Sequence, residues 1–257
     1  MAYKISPIAA FDDNYIWLID NGQIAAVVDP GDAKVVLDRL SERELELTAI
    51  INTHHHYDHT GGIAELCESF PNCTVYGPSS QVLSQHPCQQ DDEVEILPGL
   101  TFKVMEVPGH TLDHIAFYSN ELSPSVLFCG DTLFAGGCGR MFEGNPEQMQ
   151  GSLERLGSLP GATLVYCAHE YTLGNLNFAL AVEPGNQDLV QRMEDTKALR
   201  EKSEATVPSE LATERATNPF MRCREADVQK AASQRAKNIV SNPAETFAVL
   251  RKWKDNF

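Results

Sequence analysis

Thr53-His54-His55-His56-Tyr57-Asp58-His59 decides how this chain reads: four histidines and an aspartate within seven residues, entered directly from the apolar run Leu47 to Ile51. In an extended strand end, side chains two apart point the same way. His54 and His56 therefore aim at one point, while His55 aims elsewhere. Asp58 and His59 follow the change of direction and aim at a second point. Imidazole nitrogens and carboxylate oxygens together suit zinc, iron and manganese. A polar strand-to-helix loop is the plain alternative. It competes well with a lone His-x-His and poorly with the full H-x-H-x-D-H spacing.

Upstream, Tyr15 to Ile19 and Ile24 to Val28 are short apolar runs divided by the turn pair Asn21-Gly22, and Asp29-Pro30-Gly31 ends the second. Val36, Leu37 and Leu40 give a short helical stripe. Downstream, Thr60 precedes Gly61-Gly62, and Ile63, Leu66, Cys67 and Phe70 recur at helical spacing, so the cluster is a strand-loop-helix junction. Strands are also expected at Cys73 to Tyr76, Phe102 to Val107, Ile115 to Tyr118, Val126 to Cys129 and Leu164 to Cys167, whereas the polar stretch 79–99 shows no clear period.

Three of these strands run into further chemistry: Pro108-Gly109-His110-Thr111, Gly130-Asp131-Thr132 and Ala168-His169-Glu170. With His54 and His56, four strands each deliver a histidine or aspartate just past the C-terminal end. Open α/β sheets place their sites there. The fold class expected is α/β. His55, His86 and His114 fall outside this plan. His114 reads as a surface or hydrogen-bonded histidine that supports the ligands at most.

The chain has 257 residues, enough for one large domain or a main domain with an appendage, and an apolar content of 42% can supply a core. No apolar run reaches the roughly 18–20 residues of a membrane span. The opening Met1-Ala2-Tyr3-Lys4-Ile5 lacks the layout of a signal peptide. A net charge of −16 opposes nucleic-acid binding and favours solubility. Seven cysteines, an odd number without a Cys-x-x-Cys, argue against a disulfide framework and for a reducing compartment. Cys129 and Cys167 lie inside apolar strands and read as packing residues. The expectation is a cytoplasmic monomer acting on a small molecule, with neither nucleic acid nor membrane as a partner.

Beyond residue 171 strand runs give way to helical patterns at Leu173 to Leu180, Leu189 to Glu204, Glu225 to Val240 and Ala244 to Trp253. The expected division is 1–170 and a helical appendage, 171–257. Asn242-Pro243-Ala244-Glu245 has the residues of a helix start. The end of the chain is basic, with Arg222, Arg224, Lys230, Arg235, Lys237, Arg251, Lys252 and Lys254 against few acids. It reads either as a seat for an anionic ligand or as favourable charge at a helix C-terminus.

Seven ligand candidates exceed the needs of one tetrahedral ion, and two divalent ions satisfy the count. His54, His56 and His110 suit the first; Asp58, His59 and His169 suit the second; Asp131, with two oxygens, bridges. Zinc is the expected metal, with iron or manganese as alternatives. Two cations about 3.5–4 Å apart can hold a hydroxide between them and bring the pKa of water to roughly 7. The reaction class is metal-assisted hydrolysis, and Asp58 and Asp131 would also orient the attacking oxygen.

The four motifs, in this order and spacing, resemble the metallo-β-lactamase superfamily, which implies an αββα sandwich and a dinuclear site. Within it, Phe11-Asp12-Asp13-Asn14-Tyr15, Gly130-Asp131-Thr132-Leu133-Phe134, Gly136-Gly137-Cys138-Gly139-Arg140, His169-Glu170-Tyr171-Thr172, Asn218-Pro219-Phe220 and Arg251-Lys252-Trp253-Lys254-Asp255 resemble the glyoxalase II (hydroxyacylglutathione hydrolase) family over nearly the whole chain. That resemblance implies cleavage of S-D-lactoylglutathione to glutathione and D-lactate, the second step of methylglyoxal detoxification. It carries the glutathione contacts onto Arg140, Phe142, Tyr171, Arg251 and Lys254. The family often has lysine at the first of these and tyrosine at the second. Arg140 keeps the charge, while Phe142 lacks a hydroxyl. Tyr57 fills a non-ligand slot that is often histidine. The alternatives are a glutathione-persulfide dioxygenase or another hydrolase of the same fold; the terminal Arg-x-x-Lys favours glyoxalase II.

Overall fold

The strand that feeds the histidine loop, β4 (Glu46–Ile51), lies in a six-stranded sheet whose spatial order follows the chain. Its companions are β1 (Lys4–Ala10), β2 (Asn14–Asp20), β3 (Ile24–Val28), β5 (Thr74–Pro78) and β6 (His86–Cys88). The computed structural model describes residues 3–80 and 83–257. Met1 and Ala2, which enter the signal-peptide reading, lie outside the described residues, as do Gln81 and Val82 of the stretch without a clear period.

β1, β2 and β3 pair antiparallel, whereas β3 through β6 run parallel. Parallel neighbours need crossovers. Helix α1 (Ala33–Glu42) makes one between β3 and β4, and α2 (Tyr57–Thr60) with α3 (Ile63–Ser69) makes the next. Asp32 caps α1 by accepting from the Lys34 amide. Val36 and Leu40 of α1 and Leu66 of α3 are buried with Ile8, Ile16, Leu18, Val27, Ile50 and Val75 in one cluster, so these helices cover that face of the sheet. Burial of such side chains is worth roughly 1.5–3 kcal/mol each.

The segment β7 (Glu93–Leu97), β8 (Leu100–Glu106), β9 (Ile115–Ser119) and β10 (Val126–Gly130) is an antiparallel meander. β7 packs against β3 and β4, which brings the meander and the first sheet face to face. β6 and β7 resolve the polar stretch without a clear period. In β7 only Ile96 and Leu97 are buried among Glu93, Val94 and Glu95, so the alternation that marks a strand is blurred.

By its internal contacts the chain divides into two compact units, 1–106 with 113–130, and 107–112 with 131–257. The second holds the hairpin β11 (Leu133–Phe134) and β12 (Gly137–Cys138), helix α4 (Pro146–Gly157), and β13 (Leu164–Cys167) paired with β14 (Ser209–Glu210). Helices α5 (Thr172–Val182), α6 (Gln187–Glu201), α7 (Leu211–Thr217), α8 (Ala226–Ala236) and α9 (Pro243–Lys254) complete it. The protein is thus an α/β fold with a helical C-terminal region. The helix expected across Glu225 to Val240 ends early: Lys237 turns left-handed at φ 56° and stops α8. α7 escapes a periodicity search because it has only seven residues. Asn242 caps α9 as expected, accepting from the Ala244 and Glu245 amides.

These helices hold the β11–β12 hairpin. Glu214, fully buried, accepts from the Gly136 amide at 2.9 Å and pairs with Arg192. Asn218 donates to the Gly137 carbonyl at 2.9 Å, and Asn175 donates to the Ala135 carbonyl at 3.1 Å. A Cβ on Gly137 would come within 2.5 Å of the Asn175 amide carbon, so that position must stay bare. All seven cysteines are thiols outside any disulfide, and among the described residues no helix is long and apolar enough to cross a membrane.

Candidate metal centre

In the first unit, the ends of β3 and β4 are stitched together by Asp29. This buried carboxylate accepts from the Thr53 amide and the Thr53 hydroxyl, both at 2.7 Å, and from Asn52 Nδ2 at 3.1 Å. Its Oδ2 also lies 3.1 Å from His59 Nδ1. The Thr53 hydroxyl uses its one hydrogen to donate to Asp29, so at 3.1 Å it accepts from His54 Nδ1. The His54 ring therefore carries its proton on Nδ1 and turns the Nε2 lone pair outward, while the Asp29 carboxylate lies on the Nδ1 side of His59. That is the arrangement by which a partner behind the ring prepares a histidine ligand.

His54 Nε2 lies 3.1 Å from His56 Nδ1, and His59 Nε2 lies 3.5 Å from Asp58 Oδ2. Two donors about 2.0–2.1 Å from a tetrahedral ion stand roughly 3.3 Å apart, so both spacings fit the edge of such a site. Asp58 Oδ2 accepts from Asn14 Nδ2 at 3.0 Å, which aims the carboxylate. His55 points away and meets Asp113 at 3.0 Å. His114 is fully buried, stacks on His54 with ring centroids 4.6 Å apart, and donates from Nδ1 to the Ile115 carbonyl at 3.1 Å. It backs the His54 ring as a buried, hydrogen-bonded histidine and does not lie at the surface. Gly130 takes φ 46°, and a Cβ there would fall 2.3 Å from Thr53 Oγ1.

In the second unit, His110 donates from Nδ1 to the Arg140 carbonyl at 2.7 Å, again leaving Nε2 as a lone pair. That lone pair faces Asp131 Oδ2 at 3.5 Å, and His169 Nε2 lies 3.3 Å from Asp131 Oδ1. The two carboxylate oxygens thus address two different histidines. At His110 an acceptor faces an acceptor, which calls for a cation between them, and both spacings again match a ligand edge. His169 stacks on Tyr171 at 4.7 Å, with Phe134 edge-on to both rings.

A cavity of about 620 Å³ opens beside His110 and Asp131, lined by Phe134, Cys138, Arg140, Phe142, Glu170, Tyr171, Arg251 and Lys254 among others. Phe142 is largely exposed, with its ring edge-on to His110 at 5.3 Å. Lys254 Nζ donates to the Gly174 carbonyl at 2.8 Å. Burial, with Arg251 and Arg140 nearby, pushes the Lys254 ammonium down to about 8, and Cys138 opposes that shift. Arg251 lines the same cavity. It is only 4% exposed and commits its guanidinium to the Cys138 carbonyl at 3.1 Å and to Asp255 at 2.9 Å. Asp29 and Asn14 were not singled out by sequence reasoning. Their only signal is a short polar residue at a strand end, which turn chemistry explains equally well.

Residues 10–169 match the metallo-β-lactamase superfamily and residues 170–257 match the hydroxyacylglutathione hydrolase C-terminus. The hydroxyacylglutathione hydrolase of Aeromonas salmonicida is 49% identical over 257 residues, covering 99% of this chain and 100% of its own. The chain belongs to the hydroxyacylglutathione hydrolases. The Pseudomonas aeruginosa member of the family is 51% identical, with 99% of each chain covered. Among solved structures, ETHE1 from Myxococcus xanthus superposes with a TM-score of 0.68 at 25% identity, covering 98% of this chain and 91% of that one. TTHA1623 in a di-iron-bound form superposes with a TM-score of 0.53 at 28% identity, over 64% of this chain and 91% of that one. Membership of the family makes the protein a metal-dependent hydrolase, and its clustered His and Asp side chains are groups that could hold a metal ion.

Proposed function

We propose that the chain hydrolyses S-D-lactoylglutathione and related 2-hydroxyacyl-glutathione thioesters to glutathione and the 2-hydroxy acid, D-lactate in the first case, within the cytoplasm. His54, His56 and His110 would hold one divalent ion, Asp58, His59 and His169 would hold the other, and Asp131 would serve both. Zinc fits these ligands, as do iron and manganese. The observation that carries the reading is Asp131, whose two oxygens face His110 and His169 separately.

The ions, when bound, supply water with a pKa near roughly 7 and polarise the thioester carbonyl. The protein supplies the rest. Thr53 and the Arg140 carbonyl fix the ring protons of His54 and His110 on Nδ1, and the Asp29 carboxylate stands beside Nδ1 of His59. Asn14 holds Asp58 in line. Residues 171–257 act as the substrate-binding region. Arg140 and Lys254 suit the carboxylates of glutathione, Tyr171 and Phe142 offer aromatic faces, and Arg251 acts through the Cys138 loop that it holds. Loss of thioester absorbance on adding lactoylglutathione supports this reading. Oxygen uptake with glutathione persulfide and no thioester loss would transfer the site to the dioxygenase alternative.

The depressed Lys254 ammonium has a pH signature. It is a cation below about 8 and neutral above. Affinity for an inert S-alkylglutathione should therefore fall about tenfold between roughly pH 7 and 9. In Lys254→Met that step should vanish and affinity should be low throughout. Isothermal titration across this range reads both.

A further inference from the structure

Phe11 and Tyr57 are large aromatic side chains left 53% and 76% exposed. Single exposed apolar residues are ordinary, yet these two are built in. Phe11 holds φ 50°, a left-handed backbone that bulky residues rarely adopt. Each ring lies against a glycine. A Cβ on Gly31 would come within 2.9 Å of the Phe11 ring, and a Cβ on Gly61 within 2.9 Å of the Tyr57 ring. The glycines are themselves neighbours, since that Gly61 Cβ would also lie 2.7 Å from the Gly31 carbonyl oxygen. Behind them stands Asp58, whose carbonyl oxygen would be 1.9 Å from a Gly31 Cβ. The Phe11 turn is tied to the same aspartate, because Asn14 donates to the Asp58 carboxylate at 3.0 Å. Two aromatic rings therefore flank one glycine floor that backs directly onto Asp58.

We propose that Phe11 and Tyr57 form a shelf for the acyl half of the thioester and set the preference among acyl groups. The inference rests on the hydrolase reading above. Arg140 and Lys254 are charged, and they match the carboxylates of the glutathione half. The other half is a short hydroxyacyl chain whose substituent is apolar, and an aromatic surface beside Asp58 matches that chemistry. A methyl substituent, as in lactoyl, covers little of two rings. A phenyl substituent, as in mandeloyl, covers much more, so the shelf favours larger apolar acyl groups.

The test is the ratio of kcat/KM for mandeloylglutathione to that for lactoylglutathione, measured on the full chain with its metal content recorded. Phe11→Ala and Tyr57→Ala should each lower this ratio about tenfold. Phe11→Tyr and Tyr57→Phe, which keep the rings, should preserve it. A ratio unchanged in the alanine variants overturns the shelf, whether both rates fall together through a structural defect or neither moves. Turnover of neither substrate by the unsubstituted chain would defeat the hydrolase reading itself, which separates that failure from this one.

Discussion

Asp131→Ala is expected to lower turnover of lactoylglutathione by on the order of 10³-fold and to reduce the metal retained per chain. The two effects share one cause. Asp131 Oδ2 stands 3.5 Å from His110 Nε2 and its Oδ1 stands 3.3 Å from His169 Nε2, so deleting the carboxylate removes the one group that faces both histidines. Asp131→Asn keeps the volume but removes the negative charge and leaves only one acceptor oxygen. It should retain more metal than the alanine variant and still turn over poorly. Steady-state kinetics beside elemental analysis of the same preparations checks this. An alanine variant with unchanged rate and metal content would show that Asp131 does not bridge.

Asp29→Ala is expected to act through stability as well as metal. The carboxylate is 4% exposed and receives the Thr53 amide, the Thr53 hydroxyl and the Asn52 side chain, with His59 Nδ1 at 3.1 Å. Its loss leaves several buried donors unsatisfied, a cost of about 3–5 kcal/mol. It also frees the His59 ring and removes the acceptor that orients Thr53 beneath His54. Loss of such a supporting partner typically costs about 10–100-fold in metal affinity. Asp29→Asn tolerates the left-handed φ of 52° but directs an NH₂ group at a site where donors already converge. It should fall between the parent and Asp29→Ala. Thermal unfolding and chelator competition separate the two effects, and an alanine variant matching the parent in both would remove Asp29 from the account.

Much of the fold was legible because the chemistry sits where strands end. β4, β10 and β13 are short apolar runs, and His54, Asp131 and His169 follow within three residues of their ends, so period and position agree. The histidine spacing separated His54 and His56 from His55, which the structure turns toward Asp113. Asp29 stayed hidden because an aspartate before Pro-Gly is good turn chemistry, whether or not it also stitches two strand ends. One bond of Arg251 stayed hidden for a related reason. Its helix position is plain in the sequence, but its bond to the Cys138 carbonyl joins residues 113 apart, and no local pattern encodes that. α7 is too short for a period to register, and Lys237 ends α8 without the glycine that normally announces such a stop. Phe11 and Tyr57 looked like neutral members of motifs, and only the glycine contacts beneath their rings set them apart.

The most direct test of the paired-ion account is a count of metal against activity. The purified chain is stripped with a chelator, reloaded with zinc in steps, and assayed for lactoylglutathione hydrolysis at each step. The account predicts no hydrolysis without metal, and recovery that ends at two ions per chain. Full activity in the stripped protein, or a plateau with one ion per chain, would contradict it.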